Sequence, residues 1–308
     1  MIFPLIVIGG GPAGLSAALY AKRLGIEVVL LEKGVPGGQL LMTDKIENYP
    51  GTGLISGTQL VENMVLQIRQ IGIQIVEGVE VEEVEIENQI KILRTSKGDW
   101  RGEAVIAAVG SSPRKLGVPG EKEMTGKGVS YCSLCDAPFY KGKEVVVVGG
   151  GDSAVGESLY LAQYASKITI VHHREKLNSE WILQQRAKGS SKIKILSNHA
   201  VKSVLGNGKV EQIEIQNIQT GEIVLVPASS LFVFIGSVPK TKFLKGLNLL
   251  DANGFVIADE TTRTLISGIF AAGEVRSGSL KQIVSSCSDG SAAAVWAADY
   301  LQKRRSLV

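Results

Sequence analysis

The sequence predicts an α/β protein of two Rossmann-like, three-layer, nucleotide-binding domains, the second inserted into the first. Three observations carry that expectation. A strand, a glycine turn and a helix follow one another at residues 6–24 and again at residues 144–164. The apolar segments are short and punctuated by Gly and Pro. Strand-like segments suited to the first unit return only near the end of the chain, so the expected division is 1–114 and 244–308 for one domain and 115–243 for the other.

Composition agrees and narrows the function. A chain of 308 residues, 44% hydrophobic, is long enough for two domains with real cores. With 33 basic and 30 acidic residues, and no basic run beyond Lys303-Arg304-Arg305, its net charge of +3 gives no argument for nucleic acid. No apolar stretch approaches the roughly 18 residues of a membrane span. Met1 to Ile8 is apolar but has no basic leader and runs straight into Gly9, so it is expected as a buried strand of a cytoplasmic protein.

In the first half, Ile6-Val7-Ile8 reads as a parallel strand, Gly9-Gly10-Gly11-Pro12-Ala13-Gly14 as the turn, and Leu15 to Leu24 as the helix. Gly9, Gly11 and Gly14 have the GxGxxG spacing: the first permits the tight turn, the second lets a pyrophosphate approach the backbone, and the third lets helix and strand pack closely. The next strand, Glu27 to Leu31, ends on Glu32, placed to accept hydrogen bonds from an adenosine ribose. The loops Gly37–Leu40 and Glu47–Gly51 are too long for a minimal domain and are expected to cover a larger cofactor. Ser56 to Gly72 reads as a helix, Gln74–Val76, Val81–Ile86, Ile90–Thr95 and Glu103–Ala108 as strands, and Gly117-Val118-Pro119-Gly120 as a domain link.

The second half repeats the construction. Glu144–Val148 enters Gly149-Gly150-Gly151-Asp152-Ser153-Ala154, with Ala154 in the third-glycine place, before a helix to about Tyr164 and a strand at Lys167–Val171. His172 stands as far beyond Gly149 as Glu32 stands beyond Gly9. Without a carboxylate there a 2′-phosphate is not repelled, and His173, Arg174 and Lys176 can pair with one. Histidines of ordinary pKa, about 6.5, would assist more strongly in mild acid. Leu225 to Ile235 reads as one apolar strand; Ile269 to Gly273-Glu274 and the helical region beginning at Lys281-Gln282-Ile283 return to the first unit. His199 and Cys287 read as ordinary structure.

Between the turns lies Cys132-Ser133-Leu134-Cys135-Asp136. Two thiols at this spacing can close into a disulfide and open again. The pair is also half of a zinc site, but only Cys287 and three histidines remain as ligands, at no ligand spacing, so a redox dithiol is preferred and no metal is expected. Asp136 can exchange a proton with a departing thiolate, or simply start a helix. Two nucleotide turns and one exchangeable dithiol imply a route from reduced nicotinamide through a flavin to a disulfide.

With those residues in view, the chain resembles the low-molecular-weight thioredoxin reductases over residues 4–302. The resemblance rests on Gly9 to Gly14, Gly38-Gln39, Glu47-Asn48-Tyr49-Pro50-Gly51, Cys132 to Asp136, Gly149 to Ala154 and Ala271-Ala272-Gly273-Glu274, all in the family's order. It implies an FAD domain from the two chain ends, a central NAD(P)H domain containing the dithiol, a homodimer and a large domain rotation. It also implies that Cys135 faces the flavin, Cys132 attacks thioredoxin and Asp136 gives the proton. The departures are His172-His173-Arg174-Glu175-Lys176-Leu177-Asn178, where the family carries three arginines and this chain keeps Arg174; Glu274 for an aspartate; Lys281 for an arginine; and Val109 for a threonine. The expectation is thus FAD with NADPH as donor and discrimination against NADH weakened, the competing donors being NADH, reduced ferredoxin or a deazaflavin. A redox-sensing module is the non-enzymatic alternative.

Overall fold

The computed structural model describes residues 1–43, 46 and 48–306. Glu47, part of the expected cofactor loop, lies outside the described residues. The chain divides into two compact units, Met1–Ser112 with Val238–Val308, and Pro113–Ser237.

The first unit is built on a sheet in the order Gln74–Glu77, Val28–Glu32, Ile2–Ile8, Trp100–Ala107, Ile90–Thr95, Val81–Glu87. The first four strands are parallel. The last two join antiparallel through a hairpin whose turn residues, Asn88 and Gln89, have φ 47° and 67°. One edge of Trp100–Ala107 is shared: its start pairs with Lys91–Leu93, and Val105–Ala107 pairs with Ile269–Ala271 from the far end of the chain. This pairing puts Gly273 and Glu274 in the unit of the first glycine turn.

Side chains alternate across the central strands, so Leu5, Val7, Leu30 and Ile106 pack under one layer while Ile6, Ile8, Val29 and Val105 pack under the other. Strands buried on both faces therefore read as unbroken apolar runs. The helix expected from Leu15 starts at Pro12, because proline has no amide to leave unpaired in a first turn. It packs against the last helix, Ile283–Arg305, where a side chain at Gly290 would strike the Ala13 carbonyl. Ser56 caps Gly57–Gln70, its Oγ accepting the Gln59 N–H at 3.1 Å.

The second unit has five parallel strands in the order Ile193–Ser197, Lys167–His172, Glu144–Val148, Ser230–Val233, Val129–Ser130. Beside them His199–Leu205, Gln212–Asn217 and Ile223–Pro227 form an antiparallel meander. The apolar run 225–235 is thus two strands in two sheets. The Ala228 amide still follows the meander, donating to the Glu211 carbonyl, and the Ser229 amide crosses to the Glu144 carbonyl of the parallel sheet.

The segment 117–120 is no link but part of this unit. Gly117 donates to Glu121 Oε2 at 2.8 Å, and Val204 N–H donates to the Pro119 carbonyl at 2.9 Å. Glycine punctuation marks a turn equally well inside a domain. Among the described residues no helix is long and apolar enough to cross a membrane.

Candidate functional site: two glycine turns and a redox dithiol

The first turn is held by close backbone approach. Gly9, at φ 103°, faces the Ala108 carbonyl at a separation that excludes a side chain, and a Cβ on Gly14 would collide with the Gly9 carbonyl. Gly11 has no neighbouring atom where a Cβ would stand. It caps the helix with no side-chain acceptor, which leaves the first-turn amides of Ala13 and Gly14 open to an anion. Glu32 locks the turn from the next strand: Oε2 accepts the Gly10 N–H at 2.6 Å and Oε1 accepts the Gly34 N–H at 2.8 Å. Each oxygen keeps a lone pair for a ribose hydroxyl.

Other expected residues of this unit group around the turn. Gly38 lies beside Gly11, with 3.5 Å between its Cβ position and the Gly11 α-carbon. Gln39 Nε2 donates to Glu274 Oε2 at 2.7 Å and to the Ser111 carbonyl at 2.9 Å; Ser111 Oγ donates to the same carboxylate oxygen at 2.9 Å. The longer acid at 274 is thus anchored from two other segments. Gly273 N–H donates to Asp289 Oδ2 at 3.0 Å, and Arg276 pairs with the other oxygen at 2.8 Å. Gln282 caps the last helix in a capping box with Ser285 and accepts from Asn48 Nδ2 at 3.3 Å. Ile283 packs against Leu40, Ile46, Leu60 and Val61, while Lys281 is exposed with its ammonium 5.5 Å from the Phe255 ring. Open amides, a glycine with room beside it and an acid on the next strand form a donor and acceptor set that fits a dinucleotide.

Ser111, Arg276 and Asp289 were not singled out from sequence. A serine after Val109-Gly110, or an ion pair 13 residues apart, carries no motif; only the fold brings them to Glu274 and Gly273. Cys287 is half-buried with Tyr49 Oη at 4.0 Å, and burial pushes its thiol pKa up.

The second turn follows the same plan with different contacts. Gly149, at φ 140°, closes on the Phe234 carbonyl, and Ala154 is fully buried in the third-glycine place. Gly151 caps Asp152–Leu161, again with no side-chain acceptor, but here the Asn178 amide lies 3.6 Å from the Cβ position. Asp152 Oδ1 accepts the Glu180 N–H at 2.6 Å, and Ser153 is exposed.

His172 is the main departure from expectation. It is 3% exposed, Nε2 lies 3.1 Å from the Lys176 carbonyl, and Nδ1 is buried without a partner. Burial pushes its pKa below the usual histidine value, and neighbouring His173 and Arg174 push the same way. The hydrogen bond to the Lys176 carbonyl works the other way, but the net shift is downward, so the ring is the neutral form at neutral pH. His173 and Arg174 are exposed and remain for an anion, with the His173 ring edge-on to His172 at 5.0 Å.

Cys132 and Cys135 form a disulfide with Cα atoms 5.4 Å apart. Cys132 caps the helical turn Ser133–Asp136, and the Cys135 N–H points at Cys132 Sγ at 3.2 Å, a donor for sulfur charge. Ser130 brackets the pair: its Oγ donates to Asp136 Oδ2 at 2.5 Å and accepts the Cys132 N–H at 3.2 Å. Tyr131 is fixed by its hydroxyl to Glu121 Oε1 at 2.8 Å, with the Lys115 ammonium 3.6 Å over its ring. Burial, with the nearby Asp136 charge, pushes the Tyr140 phenol up to about 12, so it stays protonated at neutral pH.

The family model described as pyridine nucleotide-disulphide oxidoreductase matches residues 3–290. The thioredoxin reductase of Listeria innocua is 42% identical over 303 residues, 98% of this chain and 95% of the relative. That of Bacillus subtilis is 41% identical over 303 residues, covering 98% and 96%. Among solved structures, the thioredoxin reductase of Streptococcus pyogenes is similar with a TM-score of 0.93 at 39% identity, covering 98% of this chain and 99% of that one. The enzyme of Giardia duodenalis gives 0.91 at 32% identity, with the same coverage.

Proposed function

The chain belongs to the pyridine nucleotide-disulphide oxidoreductases and, within them, to the low-molecular-weight thioredoxin reductases, and from that premise we propose that it reduces thioredoxin with electrons from NADPH by way of FAD. The observation that carries this reading is the Cys132–Cys135 disulfide, capped by its own helical turn and bracketed by Ser130 and Asp136. When bound, FAD supplies a two-electron acceptor for the nicotinamide hydride and a donor for the disulfide. Gly9, Gly11, Pro12, Ala13, Gly14 and Glu32 hold its pyrophosphate and ribose; Gly38, Gln39, Asn48, Gly273, Glu274 and Lys281-Gln282-Ile283 line the rest. Gly149, Gly151, Asp152, Ser153 and Ala154 take the NADPH pyrophosphate, and His173 and Arg174 its 2′-phosphate.

In the reduced dithiol, the Cys132 thiolate attacks one sulfur of the thioredoxin disulfide. A mixed disulfide forms, and the other thioredoxin sulfur leaves as a thiolate and takes a proton. Cys135 then attacks Cys132 Sγ, which restores the Cys132–Cys135 bond and releases the second thioredoxin thiol. Asp136 supplies a proton to the leaving sulfur, with Ser130 fixing its carboxyl. Cys132→Ser should abolish thioredoxin reduction while reduction of an artificial electron acceptor persists. Capture of a mixed disulfide through Cys135 and never Cys132 would reverse the two roles.

Asn178 beside Gly151, where a cation would grip a 2′-phosphate, favours a second reading in which another donor serves the same dithiol. Anaerobic stopped-flow reduction by NADPH, NADH, reduced ferredoxin and a reduced deazaflavin separates the two. NADPH should reduce the flavin with only modest preference over NADH; efficient reduction by ferredoxin or deazaflavin, with none by concentrated nicotinamides, rejects it. A homodimer in the cytoplasm completes the proposal, and sedimentation of the flavin-loaded protein tests the dimer.

A further inference from the structure

We propose that Glu121 is a positioning residue of the dithiol: by holding the Tyr131 phenol it sets the pose from which the Cys132 sulfur reacts. The inference rests on the reading of Cys132 as the attacking sulfur and goes on to say what aims it.

Glu121 is a carboxylate only 4% exposed, and a buried charge is tolerated where its oxygens are well bonded. Its bonds run to two places. Oε1 accepts the Leu116 N–H at 2.9 Å and Oε2 the Gly117 N–H at 2.8 Å, in the segment just after the chain enters this unit at Pro113. Oε1 also accepts the Tyr131 hydroxyl at 2.8 Å, ten residues along the chain. Burial, reinforced by Glu121, raises the pKa of the Tyr131 phenol, so the hydroxyl keeps its proton and stays the donor. The same segment lays the Lys115 ammonium 3.6 Å over the Tyr131 ring. The side chain is thus held at its tip by an anion and on its face by a cation.

One peptide bond joins Tyr131 to Cys132. The Cys132 backbone, at φ −142° and ψ 104°, places Sγ 3.2 Å from the Cys135 N–H, the donor that stabilises a thiolate there. Such a bond weakens steeply once its geometry is lost. In the oxidised pair the S–S bond itself holds Cys132 to Cys135. Reduction removes that restraint. What then keeps Cys132 against the Cys135 amide is the backbone on its N-terminal side, fixed by Ser130, whose Oγ accepts the Cys132 N–H at 3.2 Å, and by the Glu121 hold on Tyr131. Glu121 therefore acts most strongly on the reduced state, which is the state that attacks.

The test is the pH profile of Cys132 alkylation by iodoacetamide in the flavin-loaded, dithiothreitol-reduced protein, read by mass spectrometry beside thermal melting. Tyr131→Phe keeps the ring and its contact with Lys115 but removes the hydroxyl. It should move the midpoint of the profile up by about half a pH unit and lower kcat for thioredoxin about threefold with KM unchanged. Glu121→Gln, which sets an NH₂ against a backbone donor, should move the profile the same way, and Tyr131→Phe decides the question even where that variant does not fold. Ser203→Ala removes another hydroxyl-to-carboxylate bond of this unit, Ser203 Oγ to Glu214 Oε2 at 2.7 Å, and should lower the melting temperature comparably while leaving the profile in place. An unmoved profile in Tyr131→Phe, or an equal movement in Ser203→Ala, would overturn the proposal. If the wild type reduces no thioredoxin, the functional reading fails by itself, and the alkylation profile still decides whether Glu121 aims Cys132.

Discussion

The first glycine turn is closed by charge and the second by packing. At Glu32 a carboxylate holds the Gly10 and Gly34 amides. At His172 an uncharged ring fills the space beside Gly150 and is held by the Lys176 carbonyl instead. The third-glycine places differ too: Gly14 lies so close to the Gly9 carbonyl that no Cβ fits, while Ala154 is buried comfortably in the second helix. Glycine spacing fixes the backbone of such a turn. Its chemistry is fixed by the residue at the end of the following strand.

The sharpest way to break this comparison is to exchange the third positions. Gly14→Ala forces a methyl against the Gly9 carbonyl and should destabilise the first unit by about 3 kcal/mol, with most of the flavin lost on purification. Ala154→Gly only loosens a helix and should cost about 1 kcal/mol with flavin retained. Flavin absorbance per chain together with thermal melting would measure both. Equal losses would show that the two helices approach their strands alike.

Glu32→Gln comes next. The amide keeps one acceptor oxygen but sets its NH₂ against a backbone donor, and hydrogen bonds to a charged group are each worth about 1.5–3 kcal/mol. Flavin affinity, measured by reconstituting the stripped protein, should fall at least about tenfold. Affinity for a nicotinamide fragment should not change, because Glu32 and His172 belong to different units. Arg174→Ala is the corresponding change on the second turn. Loss of one exposed charge-assisted contact should weaken NADPH binding about tenfold or less and leave NADH untouched; an equal loss of both would place Arg174 on a group the two dinucleotides share.

What the sequence made legible follows from the range of the interactions involved. Strand–turn–helix order depends on local pattern, so both turns, the hairpin at Asn88 and the dithiol could be read directly. Pairing with a distant partner could not. The run 225–235 looks like one strand because apolar pattern does not reveal that Ile223–Pro227 and Ser230–Val233 enter different sheets. Gly117–Gly120 looks like a link because its bonds to Glu121 and Val204 are tertiary. His172 was expected just past the strand Lys167–Val171 and is instead its last residue, and nothing in the sequence says that its ring turns inward beneath Gly150 while its neighbour His173 turns out.

The smallest expected effect concerns acid stability, and it separates a buried neutral ring from an exposed one. In the unfolded chain His172 titrates near the ordinary value of about 6.5. Folding lowers its pKa, mainly through burial. Below pH of about 6.5 the unfolded chain consequently binds more protons than the folded protein, so stability falls as pH drops through that value until the folded ring also protonates. Above it both states are neutral at this residue and the contribution is flat. The slope is at most about 1.4 kcal/mol per pH unit. His172→Phe should remove this part of the slope. At pH 8 the substitution deletes the unpartnered Nδ1 but also the Nε2 hydrogen bond to the Lys176 carbonyl, two opposed effects, so the curves should differ in slope more than in height. Denaturant melts of the two proteins between pH 5.5 and 8 isolate the residue, since every other titrating group is common to both. Parallel curves would mean that the ring is solvated when folded, and the contrast with Glu32 would then reduce to one of charge alone.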